Sequence, residues 1–225
     1  MIPADSIKKK ITVPKTARYF VLGEPGRKIK SVWFVFHGYA QLADHFIKKF
    51  ELLNNGENLI VAPEGLNRFY RKGFDGDIGA SWMTREDRTD DITDYVNYLD
   101  LVYKEIRSQL PNPELKINAI GFSQGGATVS RWMSTGECKI DQLILWASAF
   151  PTDLDFDMNR EKINSANTVL VIGKEDEFVN PEQLQQYTAL LNKKAIKFRL
   201  ITFEGKHVID QAALKQLVEE LAARK

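Results

Sequence analysis

The chain is poor in the residues that metal, redox and disulfide chemistry require. It has one cysteine, Cys138, and three histidines, His37, His45 and His207, among 225 residues. A lone cysteine closes no internal disulfide and builds no thiolate-rich zinc site. The three histidines are scattered without ligand spacing, so no metal is expected. Glycine patterns of the Rossmann or P-loop kind are missing, so no nucleotide cofactor is expected either. An excess of one charge is lacking too: 31 Lys+Arg stand against 30 Asp+Glu, for a net charge of +1. A dedicated nucleic-acid binder carries a clear basic excess, so none is expected as a partner. No apolar run approaches the roughly 20 residues that span a bilayer. The opening residues Met1–Lys10 lead into no apolar stretch of the export-signal kind. These absences favour a cytoplasmic setting.

What is present is a globular balance, with 44% hydrophobic and 27% charged residues. A chain of this length buries roughly 70–75% of its unfolded surface, enough for a full core. No repeat or linker divides it, so residues 1–225 read as a single domain. Strand-like and helix-like segments alternate, which argues for an α/β fold with a mostly parallel sheet. Ser31–Phe36 (SVWFVF) is a continuous run of β-favouring residues and reads as a strand buried on both faces. Asn58–Ala62, Lys116–Ile120, Gln142–Ala147, Thr168–Ile172 and Lys197–Phe203 read as further strands. Lys10–Val13 and Arg18–Leu22, either side of Pro14-Lys15-Thr16, predict an antiparallel N-terminal hairpin. Helical spacing covers Leu42–Leu53, Asp91–Leu110, Gly125–Thr135, Pro181–Leu191 and Val208–Ala222.

Residues 63–90 break this rhythm. They lack periodicity yet hold Phe69, Tyr70, Phe74, Trp82 and Met83, with Arg68, Arg71, Lys72, Arg85 and Arg88. Long aperiodic segments of compact domains are usually functional or disordered, and the aromatics argue against disorder. The arginines read as solvated charges first and as anion binders second.

The segment that carries chemistry is Gly121-Phe122-Ser123-Gln124-Gly125. It is a G-x-S-x-G between a strand and a helix, the context of a nucleophile elbow. Small neighbours let the backbone turn sharply enough to expose the serine oxygen. A serine nucleophile needs a base. His207 follows the last strand and comes after the serine in chain order, as this arrangement requires. His37 precedes the serine and fits a hydrogen-bonded structural role better than the base. His45 reads as a surface residue. The orienting carboxylate should lie between serine and base. Asp176, in Gly173-Lys174-Glu175-Asp176-Glu177-Phe178-Val179, is preferred over Glu175, Glu177 and the cluster Asp153, Asp155 and Asp157. Acyl transfer also needs an oxyanion hole, for which the backbone N–H groups of Gln124 and Tyr39 are the candidates.

With these pieces in view, the chain resembles the α/β-hydrolases of the carboxylesterase/phospholipase family that includes the acyl-protein thioesterases. The resemblance rests on SVWFVF with His37-Gly38, on Gly121-Phe122-Ser123-Gln124-Gly125-Gly126, on the Asp176 frame and on Gly205-Lys206-His207. It implies an α/β-hydrolase fold with helices on both sheet faces, and the short connection from Ala147 to Thr168 leaves room for at most a small irregular cap. It implies Ser123 as nucleophile, His207 as base and Asp176 as orienter, acting on a small-molecule ester or thioester. The sequence departs from the family at Tyr39, often a leucine there, and at Ser81-Trp82-Met83-Thr84-Arg85-Glu86-Asp87. Tyr39, Phe74, Trp82, Met83 and Phe178 are the expected acyl-pocket residues. Two other readings stand beside this one: a ligand-binding protein on a hydrolase scaffold, and a peptidase or carbon–carbon hydrolase using the same triad. Whether a second copy completes a homodimer is left open.

Overall fold

The computed structural model describes residues 6–223. The first five residues of the stretch read for an export signal lie outside them. A seven-stranded sheet forms the centre, in the order β1-β3-β2-β6-β7-β8-β9. Its strands are β1 (Tyr19–Leu22), β2 (Ser31–Phe36), β3 (Asn58–Pro63), β6 (Lys116–Phe122), β7 (Gln142–Trp146), β8 (Asn167–Gly173) and β9 (Arg199–Phe203). Every pairing is parallel except β1 with β3. Beside it lies a two-stranded hairpin, β4 (Asn67–Tyr70) with β5 (Ile78–Ser81).

Side chains alternate across the sheet and feed two cores. Val32, Phe34 and Phe36 of β2 face a cluster with α2 (Arg88–Ser108), α3 (Gln124–Thr135), α4 (Phe156–Ser165) and α5 (Pro181–Lys193). Trp33 and Val35 face the opposite cluster, with α1 (Ala43–Phe46), the 3₁₀ stretch Ile47–Leu53 and α6 (Gln211–Ala223). Helices therefore cover both faces, and continuous apolar strands are the result. Among the described residues no helix is long and apolar enough to cross a membrane.

The N-terminal hairpin is not formed. Lys10–Val13 has no strand structure and is exposed, and β1 pairs instead with β3, Tyr19 opposite Pro63. The preceding lysines explain where the segment goes. Lys8 reaches Asp87 at 2.6 Å and Lys10 reaches Asp90 at 2.6 Å, so the segment lies across the start of α2. Residues 63–90 are also less irregular than expected, because β4 and β5 turn back through Gly73 (φ 58°). The predicted helix Leu42–Leu53 divides into α1 and a 3₁₀ stretch. Ile47, Phe50 and Leu53, three apart, are all buried, the spacing that aligns one face of a 3₁₀ helix. The connection 147–168 holds α4, N-capped by Asp155, whose carboxylate accepts from Asp157 N–H at 2.9 Å and Met158 N–H at 3.0 Å.

The chain runs from β2 outward to β3 and then crosses back to β6 on the other side of β2. Strand order reverses there, and the loops after β2 and β6 diverge to leave a crevice at the carboxyl ends. Open α/β sheets bind ligands in such a crevice.

Candidate active site

Ser123 sits between β6 and α3 with φ 52° and ψ −120°, outside the regions that ordinary residues favour. The strain is held by tight packing. A Cβ on Gly125 would stand 2.3 Å from the Phe36 oxygen, and one on Gly121 would stand 2.5 Å from the Gly126 Cα. Only glycine permits both approaches. The Ser123 N–H donates to the Trp146 carbonyl at 3.0 Å, and the Ser148 hydroxyl donates to the Ser123 carbonyl at 2.8 Å. The Gln124 side chain fastens the turn from behind. Its Oε1 accepts the Trp82 N–H at 3.1 Å, and its Nε2 donates to the Met83 carbonyl at 3.0 Å.

His207 and Asp176 meet beside the serine loop. His207 Nδ1 lies 3.0 Å and 2.9 Å from the two Asp176 oxygens. The imidazole is clamped between two rings, Phe122 at 4.9 Å and Phe178 at 4.7 Å between centroids. Asp176 is buried, and its Oδ1 also accepts the Phe178 N–H at 2.9 Å. Its neighbours Glu175 and Glu177 are exposed. The other rivals are engaged elsewhere. Asp153 holds Arg131 at 2.7 Å and Arg88 at 3.1 Å, Asp155 caps α4, and Asp157 pairs with Arg160 and Lys194. Cys138 is buried, which pushes its thiol up and leaves it a poor nucleophile.

The loop after β2 has a nearly complete hydrogen-bond account. The Gly38 N–H donates to Gln41 Oε1 at 2.9 Å, the Ala40 N–H to the Ala80 carbonyl at 2.9 Å, and the Gln41 N–H to the Gly38 carbonyl at 3.3 Å. Of these four successive donors, only the Tyr39 N–H has no partner among the described residues. The Gln124 N–H lies at the start of α3, where helices leave their donors unpaired.

His37 is fully buried. Its Nε2 lies 2.9 Å from the Gly65 N–H, which can only donate, so Nε2 is unprotonated and Nδ1 carries the hydrogen. That hydrogen points at the Gly38 carbonyl, 2.8 Å away. Burial lowers the His37 pKa to about 4, so the ring stays neutral near pH 7. His45 is exposed beside Asp44.

A cavity of about 700 Å³ opens at this edge. Ser123 and His207 border it, and it continues past Ala149, Leu170 and Ile172 to Leu184 and Tyr187 of α5. Tyr39 and Phe178 stand at its mouth, 59% and 72% exposed. Three of the expected pocket residues do not border it. Phe74 is 89% exposed at the tip of the β4–β5 hairpin. Trp82 is fully buried, stacked on His37 and packed against Tyr95. Met83 packs against the same core. The far wall comes instead from β8 and α5, which apolar spacing alone marks only as core. Of the basic residues nearby, Arg68, Arg71, Lys72 and Arg85 are exposed, and Arg88 is spent on Asp153.

A strained serine turn, a carboxylate-held histidine and a crevice at the switch of a mostly parallel sheet define an α/β-hydrolase. The comparisons narrow the class. Residues 30–216 match the family model described as serine hydrolase (FSH1), and the chain belongs to that family. No curated protein matches by sequence. Among solved structures, the chain is similar to acyl-protein thioesterase 2 of Zea mays, with 14% identity, TM-score 0.68, and 92% of this chain and 99% of that one covered. It is likewise similar to a phospholipase/carboxylesterase of Dyadobacter fermentans (18%, TM-score 0.66, covering 92% and 96%) and a carboxylesterase of Mesorhizobium loti (16%, TM-score 0.65, covering 90% and 94%). At such identities the likeness is one of fold.

Proposed function

We propose that this serine hydrolase cleaves carboxylic esters or thioesters through an acyl-enzyme on Ser123. His207 Nε2 takes the hydroxyl proton as the oxygen attacks the carbonyl carbon. Asp176 holds Nδ1–H and stabilises the imidazolium that forms. The tetrahedral oxyanion is met by the N–H groups of Tyr39 and Gln124. The proton passes to the alcohol or thiol as it leaves. Water, deprotonated by His207, then releases the carboxylic acid. The observation that carries this reading is that the strained Ser123 and His207, itself held by the buried Asp176, border one cavity. Every group comes from loops at one edge of one sheet, which fits a single domain. The buried free thiol of Cys138 suits a reducing, cytoplasmic setting.

The cavity wall supports an acyl group as its occupant: Leu170, Ile172 and Leu184 are apolar, and among the described residues no Asp, Glu, Lys or Arg borders it. The test is hydrolysis of p-nitrophenyl esters from acetate to palmitate, with a fluorophosphonate added to label the nucleophile. Turnover of at least one ester and a mass adduct on Ser123 are expected. An active protein labelled on another residue refutes the assignment. Leu184→Trp, which fills the far end, should lower kcat/KM for decanoate about 10- to 100-fold more than for acetate, since each methylene contact is worth roughly 1–3 kcal/mol. Equal losses on both esters would place the acyl chain elsewhere.

A further inference from the structure

The reaction scheme leaves one buried imidazole unused. His37 has no path to the substrate as a proton carrier. It is fully buried, its Nε2 is occupied by the Gly65 N–H, and its Nδ1–H is given to the Gly38 carbonyl. What it does touch is the peptide unit between Gly38 and Tyr39.

In a trans peptide the carbonyl and the N–H point in opposite directions, and the chain has no cis bond among the described residues. The Gly38 carbonyl and the Tyr39 N–H are the two ends of one such plane. Fixing the first therefore aims the second. Resting on the reaction proposed above, we infer that His37 is the positioning residue of the oxyanion hole: by holding the Gly38 carbonyl it turns the Tyr39 N–H toward the developing charge.

Three observations support this role. Glycine at position 38 leaves the peptide plane with little intrinsic preference, so an external hold is needed. The other hydrogen bond to that carbonyl, from the Gln41 N–H, is longer, 3.3 Å against 2.8 Å. Finally, His37 is itself fixed on every side. Trp82 stacks on its ring at 5.0 Å between centroids and donates Nε1–H to its carbonyl at 2.9 Å. The Trp82 N–H is in turn held by the side chain of Gln124. A continuous run of contacts thus joins the residues of the two oxyanion donors: Gln124, Trp82, His37, then the Gly38–Tyr39 peptide. Oxyanion donors act through their fixed placement, so a peptide free to rotate would lose most of its effect.

Two substitutions separate the ring's two nitrogens. Asparagine places an amide N–H where Nδ1–H stands and keeps the hold on Gly38. Glutamine places its amide near Nε2, keeps a partner for Gly65, and releases Gly38. With p-nitrophenyl acetate, His37→Gln should lower kcat about 10²- to 10³-fold, the effect of losing one oxyanion donor, with KM changed less than about threefold. His37→Asn should retain kcat within about tenfold of the parent, although its melting temperature falls because the Gly65 N–H loses its partner. The order of activity then runs against the order of stability, which a merely structural histidine would not produce. A folded Gln variant with parental kcat, or an Asn variant as inactive as the Gln one, overturns the inference. Should His37→Gln fail to fold, His37→Asn decides alone: a folded protein with a loss beyond 100-fold rejects it. The parent measured beside Ser123→Ala keeps the two readings apart, since failure of the reaction scheme appears there, with His37 intact.

Discussion

Asp176→Asn should lower kcat for an activated ester about 10⁴-fold, and Ser123→Ala about 10⁶-fold. The first is the more informative, because a specific wrong hydrogen is its cause. Asp176 Oδ1 accepts the Phe178 N–H at 2.9 Å. An asparagine in this place keeps its oxygen there and turns its NH₂ to the position of Oδ2, 2.9 Å from His207 Nδ1. The amide then donates to Nδ1, which becomes an acceptor, and the ring hydrogen moves to Nε2. In that tautomer Nε2 has no lone pair to take the serine proton. A factor of 10⁴ corresponds to about 5.5 kcal/mol of transition-state stabilisation. The fold should survive, since the buried amide keeps two partners. Steady-state rates with Ser123→Ala, Asp176→Asn and the double variant provide the check. Residues acting as one unit are not additive, so the double variant should be no slower than Ser123→Ala alone. A slow but additive pair would mean that Asp176 acts outside the serine's chemistry.

How much of this was legible depends on how local each signal is. The elbow is written in five consecutive residues, and its tight packing demands glycine at fixed offsets, so it is readable without a structure. His207 stands out because the chain has only three histidines and one alone follows the serine. Asp176 is separable from Glu175 and Glu177 by its frame, and of the three it alone is buried. The N-terminal hairpin misled because Lys10–Val13 has strand-like chemistry, while ion pairs to the start of α2 draw the segment there. The pocket wall was not readable. Leu170 and Leu184 look like any core leucine, and only the tertiary placement of β8 and α5 makes them border a cavity. The role of Gly65 in fixing the His37 tautomer depends on a contact across 28 positions, which no local pattern reveals.

Trp82 shows the same limit in a testable way. As an aromatic in an unusual segment it reads as a pocket residue, whose removal would shift chain-length preference. In the fold it does not border the active-site cavity. Its ring is fully buried, stacked on His37 and lying against Phe36 and Tyr95 at 5.6 and 6.2 Å between centroids. Trp82→Ala therefore removes a large buried side chain and also strips the His37 carbonyl of its donor. Truncations of this kind cost about 3–5 kcal/mol. At roughly 2–4 °C per kcal/mol for a chain of this size, the melting temperature should fall by about 6–20 °C. Activity should fall alongside, because the hold on His37 weakens, and it should fall by a similar factor on acetate and decanoate esters. Trp82→Phe retains the stacking and most of the volume but not the Nε1–H, and should recover more than half of the lost melting temperature. A calorimetric scan with two ester substrates tests this. A stable Trp82→Ala protein with a changed preference for long acyl chains would mean that the tryptophan faces substrate after all.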